Sequence, residues 1–271
     1  MIPLRDNIPS RTVPIVNYAM IAACTLVFLA QLADQADGDA VLVERLGMIP
    51  ARVLHPDERI ERSERMALVD RFGQVVQVVE RPRELAPAPF SPWLTLLTCI
   101  FLHGGWMHFL GNMWFLFIFG DNVEDRIGHL GYLLFYLFSG VAASGAHLLS
   151  DPSSQVPTIG ASGAIASVMG AYCLLYPRAK VVSLVPIIVI MEIVVLPAPV
   201  FLGIWFVLQF FQGIWSITSL QTTGVAWWAH IGGFGFGFLV AVVLRAVGGT
   251  RPPVATRHPN TERIAVYRYR R

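Results

Sequence analysis

Five stretches of the chain carry no Asp, Glu, Lys or Arg: residues 12–33, 85–120, 127–150, 152–177 and 193–244. Each has room for at least one apolar helix of about 20 residues, the length that crosses a bilayer, and the last has room for two. The pattern predicts six spanning helices, near residues 14–33, 104–120, 129–149, 161–177, 199–219 and 225–245. Gln221-Thr222-Thr223-Gly224 would turn the last two. The expected fold class is all-α, a polytopic membrane protein whose backbone polar groups are satisfied within six transmembrane helices.

Polar positions fill the gaps. Residues 34–92 form a long first loop with eight arginines against eleven acidic residues. Within it, the alternating charges from Asp57 to Val69 predict a solvated helix, and Val75-Val76-Gln77-Val78-Val79 predicts a short strand. Residues 93–103 are apolar but precede the second span, so they are expected to dip into the outer leaflet without crossing. Val181 to Pro197 is apolar enough for a seventh span, yet Pro186 and Glu192 interrupt it and Pro197 and Pro199 end it.

Charge settles that parity. Basic residues flank the cytoplasmic ends of spans, and Arg126, Arg178, Lys180 and the tail Arg245, Arg251, Arg257, Arg263, Arg268, Arg270 and Arg271 all fall inside if there are six spans and the N-terminus is inside. A seventh would put the arginine-rich tail outside. The tail's Arg-Tyr-Arg-Arg is basic and aromatic, but topology accounts for it, and no nucleic-acid partner is expected. With 55% hydrophobic and 14% charged residues, a soluble globular domain is excluded. The first apolar run lacks a small-residue cleavage site and reads as a retained helix, not a removed signal peptide. Cys24, Cys99 and Cys173 lie in apolar segments without paired or metal-type spacing and read as packing residues.

Six-span parity also sets depth. Spans two, four and six start outside, so His108 and Asn112, then Ser162, then His230 fall within about 10 Å of the outer boundary at 1.5 Å per residue. A serine hydroxyl becomes a nucleophile when an adjacent imidazole accepts its proton. The small residues of Gly160-Ala161-Ser162-Gly163-Ala164 and Ala229-His230-Ile231-Gly232-Gly233 would let the two helices approach; Ser162, Ala166 and Gly170 form one face, and His230, Gly233 and Gly237 the other. His108 and Asn112, four residues apart on one helical face, are candidate oxyanion donors, as is the Ser162 backbone N–H at a helix start. Taken singly, each feature has a plainer reading: small residues for helix packing, Asn112 for bridging helices, His129 and His147 as structural histidines. His103 reads as structural, holding the first loop by a hydrogen bond, and Glu124, Asp125 and Arg126 as a loop network fixing the turn between spans two and three.

The chain resembles the rhomboid intramembrane serine proteases. The resemblance rests on His103-Gly104-Gly105-Trp106-Met107-His108-Phe109-Leu110-Gly111-Asn112, Glu124-Asp125-Arg126-Ile127-Gly128, Gly160-Ala161-Ser162-Gly163-Ala164 and Ala229-His230-Ile231-Gly232-Gly233, in that order, over about residues 90–245. It implies Ser162 as nucleophile, His230 as general base and His108 with Asn112 as oxyanion donors. His103, Glu124, Arg126, Gly160, Gly163 and Gly233 would support the site. It also implies single-span membrane proteins as substrates, a Ser-His dyad without a third acidic member, and no metal or other cofactor. Two features depart from many members: Ala166 stands where some place an aromatic residue against the histidine, and the first loop lacks a Trp-Arg pair.

The implied organisation is a cytoplasmic N-terminus (1–13), a first span (14–33), an extracytoplasmic loop (34–92), the rhomboid core (93–245) and a basic cytoplasmic tail (246–271). The chain would sit in the cell membrane with its site toward the outer face, its partners being the lipid bilayer and the transmembrane substrates. A catalytically inactive client-binding relative would lack the serine or the histidine, and both are present. A transporter would call for an inverted repeat or a midplane charge, and Glu192 in the proline-broken segment is the one candidate charge.

Overall fold

The computed structural model describes residues 1–36, 41–69, 75–187, 190–218 and 226–252. The chain begins with a strand, β1 (Ile2–Asp6), followed by α1 (Ile15–Ala36). The first loop holds α2 (Val41–Leu46), α3 (Pro50–Leu54), β2 (Glu61–Val69) and β3 (Val75–Glu84). After a 3-10 turn at Pro92–Leu94 come α4 (Thr95–Thr98), a second 3-10 turn at Cys99–Phe101, α5 (Trp106–Ile127), α6 (His129–Ser150) and α7 (Ser162–Leu175). A hairpin of β4 (Lys180–Ile187) and β5 (Ile190–Pro197) leads into α8 (Ala198–Thr218) and α9 (Trp227–Ala246).

The molecule is mostly helical and is a membrane protein. Helices α1, α6 and α9 are long and apolar enough to cross a bilayer, and α7 and the Ala198–Ile214 part of α8 are shorter apolar helices. The segment Pro92–Phe101 meets α5 at 80°, a sharp bend that makes the pair either a broken span or a re-entrant loop. The turn expected at Gln221–Gly224 and most of the arginine-rich tail lie outside the described residues.

The all-α expectation is corrected by five strands among the described residues. Within the apolar stretch 181–197, read as non-spanning, β4 and β5 pair antiparallel, with Val182 opposite Val195 and Leu184 opposite Ile193. Their β-branched residues suit a pleated surface, and cross-strand pairing satisfies the backbone that Pro186 and Pro197 would deny to a helix. β1 adds a third strand, in the order β1-β4-β5. The solvated helix expected from Asp57 to Val69 is also corrected, since Glu61–Val69 is strand β2. Alternating charge fits a strand equally well, and pairing decides: Glu61–Val69 runs antiparallel to β3, in a register that sets Glu61 opposite Glu84 and Val69 opposite Val75.

Glu124, Asp125 and Arg126 were expected in a loop but form the buried last turn of α5, which runs past the expected end at residue 120. Each charge has partners, so none ends the helix. The Glu124 carboxylate accepts the Val16 and Asn17 backbone N–H groups at 3.0 and 2.7 Å, capping the first turn of α1 from another helix. Its other contact is the His129 ring. Asp125 accepts Arg11 Nε at 2.9 Å and Thr12 Oγ1 at 3.2 Å. Arg126 donates to the Leu175 carbonyl at 3.2 Å and lies over the Tyr176 ring, 5.3 Å from its centroid.

This end of the bundle also holds β1. Asp6 accepts the Asn122 Nδ2 amide at 2.8 Å and the Tyr172 hydroxyl. Burial pushes the Asp6 carboxyl up to about 7, with the Tyr172 hydrogen bond opposing and the nearby Asp121 adding to the rise.

Candidate active site

Ser162 is the first residue of α7, and the local chain explains why it stands there. Gly160 has φ +131°, a conformation open to glycine, and its N–H donates to the Cys99 carbonyl at 2.9 Å. The chain is thereby bent and tied to the 3-10 turn just before Ser162. The first loop holds the same segment from the other side: Met48 and Thr158 exchange backbone hydrogen bonds of 3.1 and 2.7 Å, and the Ala51 N–H donates to the Ser154 carbonyl at 3.0 Å.

His230 lies in the first turn of α9. Helices α7 and α9 touch backbone to backbone, because a Cβ on Gly233 would overlap the Gly163 carbonyl oxygen and one on Gly237 the Ser167 carbonyl. From the α7 side, a Cβ on Gly170 would overlap the Phe234 carbonyl oxygen. The contacting α7 face is thus Gly163, Ser167 and Gly170; the expected Ala166 is buried beside it. Ser167 adds a bond across the contact, its hydroxyl donating to the Gly233 carbonyl at 2.7 Å. Ser162 Oγ stands 2.7 Å from His230 Nε2, within hydrogen-bond reach of a proton acceptor.

His108 and Asn112 line the same cavity as Ser162 and His230, a space of about 530 Å³ whose walls include Met107, Phe115, Ile165, Met169 and Trp205. The Gly104 N–H donates to His108 Nδ1 at 3.2 Å, so in the neutral ring the proton sits on Nε2. That edge lies beside the serine: a methyl added to Gly160 would stand 2.8 Å from His108 Nε2 and 3.4 Å from Ser162 Oγ. Asn112 is buried, and among the described residues its Nδ2 amide has no hydrogen-bond partner. The four polar residues singled out by depth are therefore assembled in one cavity.

The supporting residues divide. Gly160, Gly163 and Gly233 are at the site, whereas Glu124 and Arg126 brace the far end of the bundle. His103 does tie the first span to the following segment, but through its backbone. Its N–H donates to Gln31 Oε1 at 2.9 Å and its carbonyl accepts Gln31 Nε2 at 3.1 Å. The ring packs edge-on against Phe28, Phe109 and His108.

Three residues around His230 were not singled out from sequence. Gln209 Oε1 lies 2.6 Å from His230 Nδ1, and the Trp205 and Trp227 rings are centred 5.9 and 6.0 Å from the imidazole. The aromatic support absent at Ala166 comes instead from α8 and from the start of α9. The available signal was Trp205 and Gln209 at i and i+4 on one face of a helix whose only other amide is Gln212.

The family model for the Rhomboid domain matches residues 91–247, more than half of the chain. The chain belongs to the rhomboid family. Rhomboid-like protein 11, chloroplastic, from Arabidopsis thaliana is 42% identical over 76 residues, which cover 28% of this chain and 27% of that protein. RHOMBOID-like protein 4 from the same plant is 31% identical over 156 residues, covering 55% of this chain and 33% of the relative. Presenilin-associated rhomboid-like protein A, mitochondrial, from Danio rerio is 30% identical over 105 residues, 38% of this chain and 27% of the relative. The chain therefore spans a third or less of the length of each of these rhomboid relatives. All the cavity residues named above fall inside the matched domain, while β1, α1 and most of the first loop fall outside it.

Proposed function

We propose that this rhomboid is an intramembrane serine endopeptidase that cuts single-span membrane proteins within or near their spans. The observation that carries the reading is the 2.7 Å approach of Ser162 Oγ to His230 Nε2 in a cavity that also receives His108 and Asn112. A serine–imidazole pair at that distance, with donors beside it, is an arrangement suited to acyl transfer.

In this mechanism His230 Nε2 takes the Ser162 hydroxyl proton as Oγ attacks the peptide carbonyl carbon. The oxyanion that forms is met by the His108 Nε2–H, the Asn112 amide and the Ser162 backbone N–H. Collapse passes the proton from the imidazolium to the leaving amine and leaves an ester on Ser162. Water then attacks the ester, gives its proton to His230, and releases the new carboxyl terminus with the serine restored. These steps need no metal or nucleotide.

The six-span topology takes the bent pair as one span and counts α1, α6, α7, α8 and α9 as the others. At 1.5 Å per residue, the 14 residues of α7 reach only about 21 Å, short of a hydrocarbon core of about 30 Å. Ser162 at its start would then lie below the outer surface, roofed by residues 151–161, near enough for water to enter. The basic flanks support both termini on the cytoplasmic face of the cell membrane.

The test is cleavage of a model single-span substrate by the protein purified in detergent, beside Ser162→Ala and His230→Ala. Both variants are expected to lose at least about 10³-fold in rate, and a fluorophosphonate probe should label Ser162 in the wild type alone. Undiminished cleavage by either variant would sink the assignment. Substrate capture without cleavage by the wild type would instead place the chain with rhomboid-like proteins that bind clients.

A further inference from the structure

We propose that Gln209 is the positioning residue of the Ser162–His230 pair: its side-chain carbonyl holds the imidazole in the tautomer that can accept the serine proton. The inference rests on the protease reading above and adds a third, uncharged member to the dyad.

A neutral imidazole carries one N–H, and the partner of one ring nitrogen decides which nitrogen that is. Gln209 Oε1 lies 2.6 Å from Nδ1, and Ser162 Oγ lies 2.7 Å from Nε2. With the amide turned so that Oε1 meets the ring, the carbonyl only accepts, and Nδ1 carries the proton and donates it to Gln209. Nε2 then presents its lone pair to the serine hydroxyl. In the other tautomer Nε2–H would donate to Ser162 Oγ, and no base would remain at the nucleophile. The 2.7 Å serine–histidine distance serves both tautomers equally, and the amide separates them.

The helix face supports the same role. Trp205, one turn before Gln209 on α8, places its ring 5.9 Å from the imidazole at 40°. One face of α8 thus fixes both the plane of the ring and the protonation of its far nitrogen. Gln209 and His230 are both buried. A carboxylate here would have to be desolvated beside an apolar wall, whereas an amide orients the ring without bringing a charge. The cost is a weaker hold on the imidazolium that forms when the serine proton moves.

The experiment measures kcat and KM of the full-length protein against a model single-span substrate from about pH 5 to 9, for wild type, Gln209→Met and Gln209→Glu. Methionine keeps the volume and removes the acceptor. It is expected to lower kcat by about 10- to 100-fold while KM stays within about twofold, as for other groups that orient a functional histidine. Glutamate keeps the acceptor and adds charge beside the ring. It should retain more activity than methionine and move the acidic limb of kcat/KM to higher pH, because the imidazolium persists further up the scale. A packing role would leave that limb in place. A methionine variant with kcat within twofold of wild type, or a glutamate variant whose acidic limb coincides with wild type, overturns the assignment of Gln209. If methionine prevents folding, the glutamate profile decides alone. A wild type that neither cleaves nor labels at Ser162 fails at the earlier step and overturns the protease reading, and this inference with it.

Discussion

Asn112 is buried at the cavity wall with an amide donor that has no partner among the described residues, which is costly unless something in the working cycle accepts from it. A developing oxyanion would do so. Asn112→Ala is therefore expected to lower kcat by about 10² to 10³-fold with little change in KM, measured by steady-state cleavage; equal losses in binding and turnover would argue for a packing role. Among single residues, Ser162, His230, His108 and Asn112 were legible because a polar group on an apolar helix needs a reason, and because parity placed all four at one depth. Gln209 is just as polar, but parity puts it near the middle of its predicted span, away from that depth. It was missed because its partner is 21 residues away on the following helix, and no motif ties them. Only the fold shows which neighbour an isolated amide will meet.

At the scale of elements, the α7–α9 contact governs whether the site exists. Glycine is required where the backbones touch, and the helices cannot separate by even a methyl's width without drawing Ser162 from His230. Gly237→Ala is expected to destabilise the protein by about 1 to 3 kcal/mol and to lower activity with it. Gly235→Ala is the control on the same helix: an added Cβ there meets nothing within 4 Å, so thermal unfolding should show no loss. The small-residue faces were legible from i, i+4 spacing, although the α7 face is turned by one position so that Ser167 meets α9. The charged hairpin of the first loop was misread because alternating charge does not tell a solvated helix from a solvated strand. Its valine-rich partner strand, Val75–Val79, was the clue, since a strand needs another to pair with. That loop also has a task the sequence did not disclose: Met48, between α2 and α3, holds Thr158, and Ala51 of α3 holds Ser154, on the approach to Ser162.

For the whole molecule, the two ends of the bundle differ in what holds them. The end near Ser162 relies on the first loop. The opposite end is closed by β1 and by buried charges that tie α1, α5 and α7 together. Asp6 makes that closure pH-dependent. Its carboxyl is raised to about 7 from an ordinary 3.8, so the stability it contributes is fully present below about pH 4 and is lost as pH rises through 7. Asp6→Asn should match wild type near pH 4 and exceed it at pH 8, with the difference in thermal unfolding temperature read across that range; a constant difference would count against the buried carboxyl. The β1-β4-β5 sheet was only half legible. Charge parity argued against a seventh span across the proline-broken segment, but that negative does not predict a sheet, and nothing in Ile2–Asp6 announces a partner so far along the chain.

That distance orders the making of the protein. β1 is made well before its partners: Val181 to Leu184, the residues it pairs with, lie 175 to 182 residues further along the chain. At about 5 to 20 residues per second, the strand waits roughly 9 to 35 s before its partner leaves the ribosome. Asn122 and Tyr172, the partners of Asp6, are also made in that interval. β1 therefore closes its end of the bundle only once α7 and the hairpin after it have been made.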